Sequence, residues 1–280
     1  MDVVEQMPRQ SCSMSGLPVT SFHAQPLVSI AMSSLHLFET LIVLHIVFGA
    51  PGLISFWVPV IGKKGSRLHK AWGKAFVIMM LITASCAVGM ATLTIMDPVH
   101  THPKLIEHAE LSDPVLIRGI FGWMMLYLAI LTINLTWYGW LCIRNRGAHS
   151  SNRAWHNMLL QALLLIASVN CAWQGWLIQQ PMMMGISMVG FATVATNLWF
   201  MLRLSPGPLE WLTEHIKALV GTGISVYTAF FAFGAVRLIP ELALAPVLWA
   251  IPLVTGLSLI IYHQRQVMRP ARRTQTLRPS

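Results

Sequence analysis

Seven long apolar stretches, at roughly 36–60, 75–96, 115–142, 157–178, 182–202, 218–236 and 246–262, constrain this chain more than any other feature. The hydrocarbon core of a bilayer takes about 20 consecutive apolar residues per helix, and each stretch is near that length. The whole chain is 55% hydrophobic and 10% charged, against about 25% charged in soluble domains. Strands of a membrane barrel would show ~10-residue segments of alternating polarity. These stretches are apolar on every side and rich in the helix formers Leu, Met and Ala. The expected fold is all-α: a polytopic membrane helix bundle of about seven transmembrane helices. It divides into a tail (1–33), a membrane domain (34–263) and a basic tail (264–280). Pro51 and Pro59 lie in the first stretch and predict a kink there, since neighbouring helices re-satisfy the backbone groups that proline frees.

Orientation follows from where Lys and Arg fall, because cytoplasmic loops retain positive charge. The turn after the first stretch holds Lys63, Lys64, Arg67, Lys70 and Lys74 and no acid. Taking that turn as cytoplasmic, fifteen of the nineteen Lys and Arg fall inside. The outer side keeps Arg9, Lys104, Arg118 and Arg237 and collects Asp2, Glu5, Asp97, Glu107, Glu110, Asp113 and Glu241. The expectation is an outer amino terminus, a cytoplasmic carboxyl terminus and a place in the cell inner (plasma) membrane. The net charge of +9 does not point to nucleic acid, because the cations flank spans rather than forming one interleaved patch. Their natural partner is anionic lipid of the bilayer. The first 30 residues lack both a basic n-region and a small-residue cleavage site after an apolar core, so no cleaved signal peptide is expected. Cys12, Cys86, Cys142 and Cys171 share no loop and no CxxC spacing, so they read as small core hydrophobes without a structural disulfide.

Histidine placement carries the functional expectations. His69, His156 and His215 recur with Trp and a cation at three cytoplasmic helix entrances, which suggests three helical hairpins followed by a seventh span. The plain reading is that such residues favour the interface. The sharper reading is that helix packing brings two or three of them onto a metal or haem iron. His45 lies inside the first span, and an ionisable residue there needs a partner. Gly49 and Gly52 share its helical face, so it is expected to face protein. At about 12 Å below the outer surface it matches the depth of Asn170, Gln174 and Tyr227, a buried polar cluster in prospect, and no second His. A haem b held by His45 and a Met stays open beside it. In the outer loop His100, His102 and His108 stand among four carboxylates, which suits Zn or Cu or simply a solvated acidic loop.

His45 to Gly49, the basic turn, and then Leu68-His69-Lys70-Ala71-Trp72-Gly73-Lys74-Ala75-Phe76 together resemble the H-R-x-x-G-R-x-Y helix entrance of a bacterial family of predicted multi-pass membrane proteins of unknown function. Lys70, Lys74 and Phe76 stand where that pattern has Arg, Arg and Tyr, and Arg153 to Met158 is loosely similar to its second entrance. The resemblance implies a multi-pass membrane fold with recurrent interfacial histidines, and no particular reaction. No nucleotide-binding, GxSxG, HExxH or CxxCH motif is present, and whether the chain is an enzyme stays open. Three functional expectations follow: a redox or cofactor-handling membrane protein using these histidines, a transporter or proton pathway around His45, or a non-catalytic assembly subunit of a membrane complex.

Overall fold

The computed structural model describes residues 24–106, 113–234 and 246–276. Cys12 and His108 lie outside them. Among these residues every regular element is helical. The long helices are α1 (Ala24–Ile61), α2 (Arg67–Met96), α3 (Pro114–Arg144), α4 (Trp155–Leu177), α5 (Pro181–Leu202), α6 (Glu210–Ala229) and α7 (Pro246–Thr276). Five of them, α1 from Leu35 onward and α2 to α5, are long and apolar enough to cross a membrane. The sixth, α6, carries Glu210, Glu214, His215 and Lys217 in its first turns, which dilutes its apolar character. The seventh runs unbroken past His263 to Thr276, so the basic tail begins as a helical extension rather than a coil. Gln264, Arg265, Gln266 and Met268 are good helix formers, which accounts for the continuation.

The distribution of side chains is the reverse of a soluble protein's. Ile54, Ile166 and Trp199 are 71%, 64% and 73% exposed, whereas Asn134, Thr136, Ser168, Ser187, Asn197 and Thr222 are fully buried. In water such exposed apolar faces would be a liability; against lipid tails they are the compatible surface, and polar groups turn inward to find partners. Cys86, Cys142 and Cys171 are buried free thiols, as their scattered spacing predicts.

Small residues set the helix contacts. The His45, Gly49 and Gly52 face of α1 lies on α2, where a Cβ on Gly52 would come within 2.2 Å of Met80 Cε and one on Gly49 within 3.2 Å of Thr83 Cγ2. Close approach of this kind is how membrane helices gain packing energy when burial from water no longer drives them together. The central helix is α3, which packs against α2, α4 and α6. Its Ile120, Met124, Tyr127, Leu131, Leu135 and Tyr138 form the main core. Two hydroxyl pairs, Thr132 with Ser225 (2.8 Å) and Thr136 with Thr222 (3.3 Å), tie α3 to α6.

The α4–α5 reversal turns on Gln179, whose φ of 56° is left-handed. Glycine adopts that region without the Cβ clash that strains glutamine, and the loss of the Gln179 Nε2 bond to Trp176 O offsets part of the relief. Gln179→Gly is therefore expected to stabilise the protein by roughly 0.5 kcal/mol, read as a small rise in melting temperature in detergent.

Candidate functional site

The basic turn between α1 and α2 builds one wall of the site. Gly65, at φ +74°, supplies the left-handed residue that reverses the chain, and Ser66 Oγ then caps α2 by accepting from the His69 amide at 3.1 Å. This fixes His69 in the first turn of α2. Its Nδ1–H donates to the Pro59 carbonyl at 3.1 Å, one of the acceptors that a helix end leaves without an intrahelical partner. The Lys64 ammonium donates to the same carbonyl at 2.8 Å and to Val60 O. Burial pulls the Lys64 pKa below the ordinary lysine range.

The opposite wall is α6. His215 Nδ1–H donates to the Gly139 carbonyl of α3 at 2.9 Å. His69 and His215 lie within electrostatic reach of each other, and Lys64 is in reach of both His69 and His263 of α7. His263 Nε2 is buried with no hydrogen-bond partner. Arg146, at the end of α3, stands 5.9 Å from the Trp211 ring at the start of α6. The turn after α1, the end of α3, the start of α6 and the late part of α7 thus share one basic end of the bundle.

Beside His215, Glu214 Oε2 accepts from Tyr138 OH at 2.6 Å and pairs with Lys217 Nζ at 2.5 Å. The ammonium also lies 5.8 Å from the Tyr138 ring centre. These side chains are mostly enclosed, at 17% exposure for Glu214 and 24% for Lys217, so the charges hold one another rather than relying on water.

The tautomers follow from the partners. A carbonyl only accepts, so His45, His69 and His215 each carry the proton on Nδ1 and present the Nε2 lone pair. Among the described residues none donates to these Nε2 atoms. A ring held through Nδ1–H by a carbonyl, with Nε2 open, is the arrangement that orients a histidine ligand on a metal.

Other expected sites come apart. His156 is exposed, with its ring 5.8 Å from that of Trp155, and does not join His69 and His215. His45 donates to Thr83 O at 3.0 Å, and Tyr227 OH donates to Leu53 O at 2.9 Å while accepting from Trp57 Nε1. Asn170 and Gln174 meet neither of them: α4 packs on α3 and α5, whereas α1 packs on α2 and α6. Tyr227 meets α1 at Leu53, about 12 Å along the helix from His45, so the expected equal depth fails for it, and for Asn170 and Gln174 depth says nothing about which side of the bundle a helix occupies. Thr83 lies about 21 Å farther along α2 than His69, so His45 and His69 cannot share an ion. In the segment after α2, His100 Nδ1 bonds Asp97 at 2.8 Å, and His102 sits between the rings of Phe38 and Phe121 at 5.4 and 5.0 Å. Among the described residues no three of His, Cys, Asp and Glu form a group able to hold a metal, so a centre here would rest on two protein ligands.

Sequence reasoning took Lys217 only as the cation of a helix entrance and passed over Tyr138, the Glu214 carboxylate and His263 as site groups, and Asn134, Gln161 and Asn197 in the interior. The signal was present in part: Glu214 and Lys217 are opposite charges three residues apart on a largely apolar helix, and isolated Asn residues stand inside apolar stretches.

Fold and site together define an all-helical protein with membrane-length apolar helices and a histidine-lined, basic end. Compared with protein-family models, with curated proteins and with solved structures, the chain matches none.

Proposed function

We propose that this chain is a seven-span inner-membrane protein, with its basic end in the cytoplasm, that binds haem or a transition metal between His69 and His215 for redox or cofactor handling. The observation that carries the reading is the anchoring of both rings at one end of the bundle, each through Nδ1–H to a neighbouring helix's carbonyl and each with an open Nε2. Seven spans are supported by the way α6 lies along α3 and α7 along α6 as bundle members. The orientation rests on the gathering of Lys63, Lys64, Arg67, Arg144, Arg146, Arg203 and Arg265 toward that end. A haem or metal bound there would supply electron transfer or Lewis acidity, while the protein contributes ring orientation and a site of low dielectric.

The test is the visible spectrum and metal content of the purified full chain and of three variants. His69→Ala and His215→Ala are each expected to lower metal or haem occupancy by about tenfold or more, while His156→Ala leaves it unchanged. Folded wild-type protein with neither a Soret band nor stoichiometric metal contradicts the reading.

A second reading, a proton pathway, is favoured by the enclosed Tyr138, Glu214 and Lys217 set, since ionisable groups within a membrane bundle mark proton relays. It expects pH-gradient-driven acidification of proteoliposomes that Glu214→Gln slows. Identical rates in the two proteins would remove it.

A further inference from the structure

A second polar feature stands apart from the histidines, on the opposite face of α3. Asn197 of α5 donates through Nδ2 to Asn134 Oδ1 of α3 at 3.2 Å and to Gln161 Oε1 of α4 at 3.4 Å. Asn134 Nδ2 donates in turn to Leu160 O at 3.2 Å. Asn134 and Asn197 are fully buried and Gln161 is 2% exposed. Since both acceptors face the Asn197 nitrogen, its Oδ1 points away from them, and that buried oxygen has no partner.

The triad is the inner end of a longer seam. One turn along α3 from Asn134, Trp137 Nε1–H donates to Asn157 Oδ1 at 3.1 Å. Asn157 Nδ2 donates to Asn152 O at 3.2 Å, and Asn152 Oδ1 accepts from Asn145 at 2.8 Å, in the connection between α3 and α4. His149 closes the seam. Its Nδ1 accepts from Asn152 Nδ2 at 3.4 Å, so Nε2 carries the proton, and that buried donor is also without a partner. The His149 ring packs 4.8 Å from Phe200, which is one turn from Asn197 on α5. An unpartnered donor beside Phe200 and an unpartnered acceptor one turn before Phe200 on α5 thus both belong to the α3–α4–α5 interface. From Asn145 to Asn134 the seam runs about 16 Å along α3, half the thickness of a hydrocarbon core.

We propose that this seam holds water, with bound molecules accepting from His149 Nε2–H and donating to Asn197 Oδ1, and that it carries water from the basic surface to the middle of the bundle. The chemistry selects the ligand. All seam groups are neutral, so they offer no counter-charge to an ion, whereas water supplies both a donor and an acceptor and needs two to four such partners. A buried amide oxygen or imidazole N–H left unmet in a low-dielectric interior is a standing cost that a water molecule removes.

X-ray radiolytic footprinting of the full chain in nanodiscs, read by mass spectrometry, tests this, because radicals born from bound water oxidise the side chains beside it. Phe200 is expected to be oxidised about tenfold faster than Met124 and Met183, which are buried in the same core but away from the seam. Asn197→Leu is expected to bring Phe200 down toward the Met124 rate, and His149→Phe, in the connecting segment, does the same where Asn197→Leu fails to fold. A rate at Phe200 no higher than at Met124 would overturn the proposal, as would a Phe200 rate unaffected in a folded variant of either kind.

Discussion

Replacing Glu214 with leucine is expected to destabilise the folded protein by about 3 kcal/mol, the largest effect of any single side chain at the basic end. The reason is what stays behind. Glu214 accepts from Tyr138 OH and pairs with Lys217, and its removal leaves an ammonium and a phenol enclosed without their acceptor. The pair itself is not the source of so large a number, because bringing both charges out of water offsets much of their attraction. This separates two outcomes. The double variant Glu214→Leu with Lys217→Met removes both charges and is expected to recover most of the loss, whereas Lys217→Met alone leaves a carboxylate still held by Tyr138 and costs less than Glu214→Leu. Thermal unfolding in a fixed detergent, followed by circular dichroism, measures all three. Equal stability of wild type and Glu214→Leu would show that water reaches the pair freely.

Gly175→Val is expected to have a similar effect, about 3 kcal/mol, through sterics alone. Gly175 lies where α4 meets the start of α5. A Cβ there would come within 2.6 Å of Met183 Cβ, 3.1 Å of the Met184 amide nitrogen and 3.2 Å of the Gln180 carbonyl oxygen. Two of these three neighbours are main-chain atoms, so no side-chain rotation relieves the clash and the α4–α5 hairpin must open. Gly73 supplies the control: a Cβ there meets nothing within 4 Å, and Gly73→Ala in the α2 helix is expected to be neutral or slightly stabilising. The comparison reads out as melting temperature and as yield of monodisperse protein.

The helices were the most legible part of the chain. The apolar stretches expected at about 36–60, 115–142, 157–178 and 182–202 correspond to Leu35–Ile61, Pro114–Arg144, Trp155–Leu177 and Pro181–Leu202. Lipid demands long apolar runs, so the signal is written in composition rather than in subtle periodicity. The second span, expected from about 75, begins at Arg67 because Ser66 caps the helix within the basic turn, and charge placement does not reveal a cap. The glycine face of α1 was legible too, since Gly49 and Gly52 do carry the close approach to α2.

The site was legible only in outline. That His69 and His215 sit at one end follows from counting spans, but that each is anchored to a neighbouring helix's carbonyl while His156 stays exposed depends on which helices neighbour one another. No single residue encodes that adjacency. The same gap explains why depth alone groups Asn170 and Gln174 with His45 and Tyr227, although the first two lie on the α3–α5 side of the bundle and the last two on the α1 side. Buried amides such as Asn134, Gln161 and Asn197 are harder still, because a neutral polar residue in an apolar run does not say which partner on another helix will satisfy it.

The claim that His69 and His215 hold one metal or haem iron meets its most direct test in X-ray absorption at the metal edge of the purified full-length protein. The account predicts a stoichiometric metal whose coordination shell contains two imidazole nitrogens at about 2 Å, with one lost in His69→Ala and one in His215→Ala. A folded protein with no metal signal, or a shell that both substitutions leave unchanged, would contradict it.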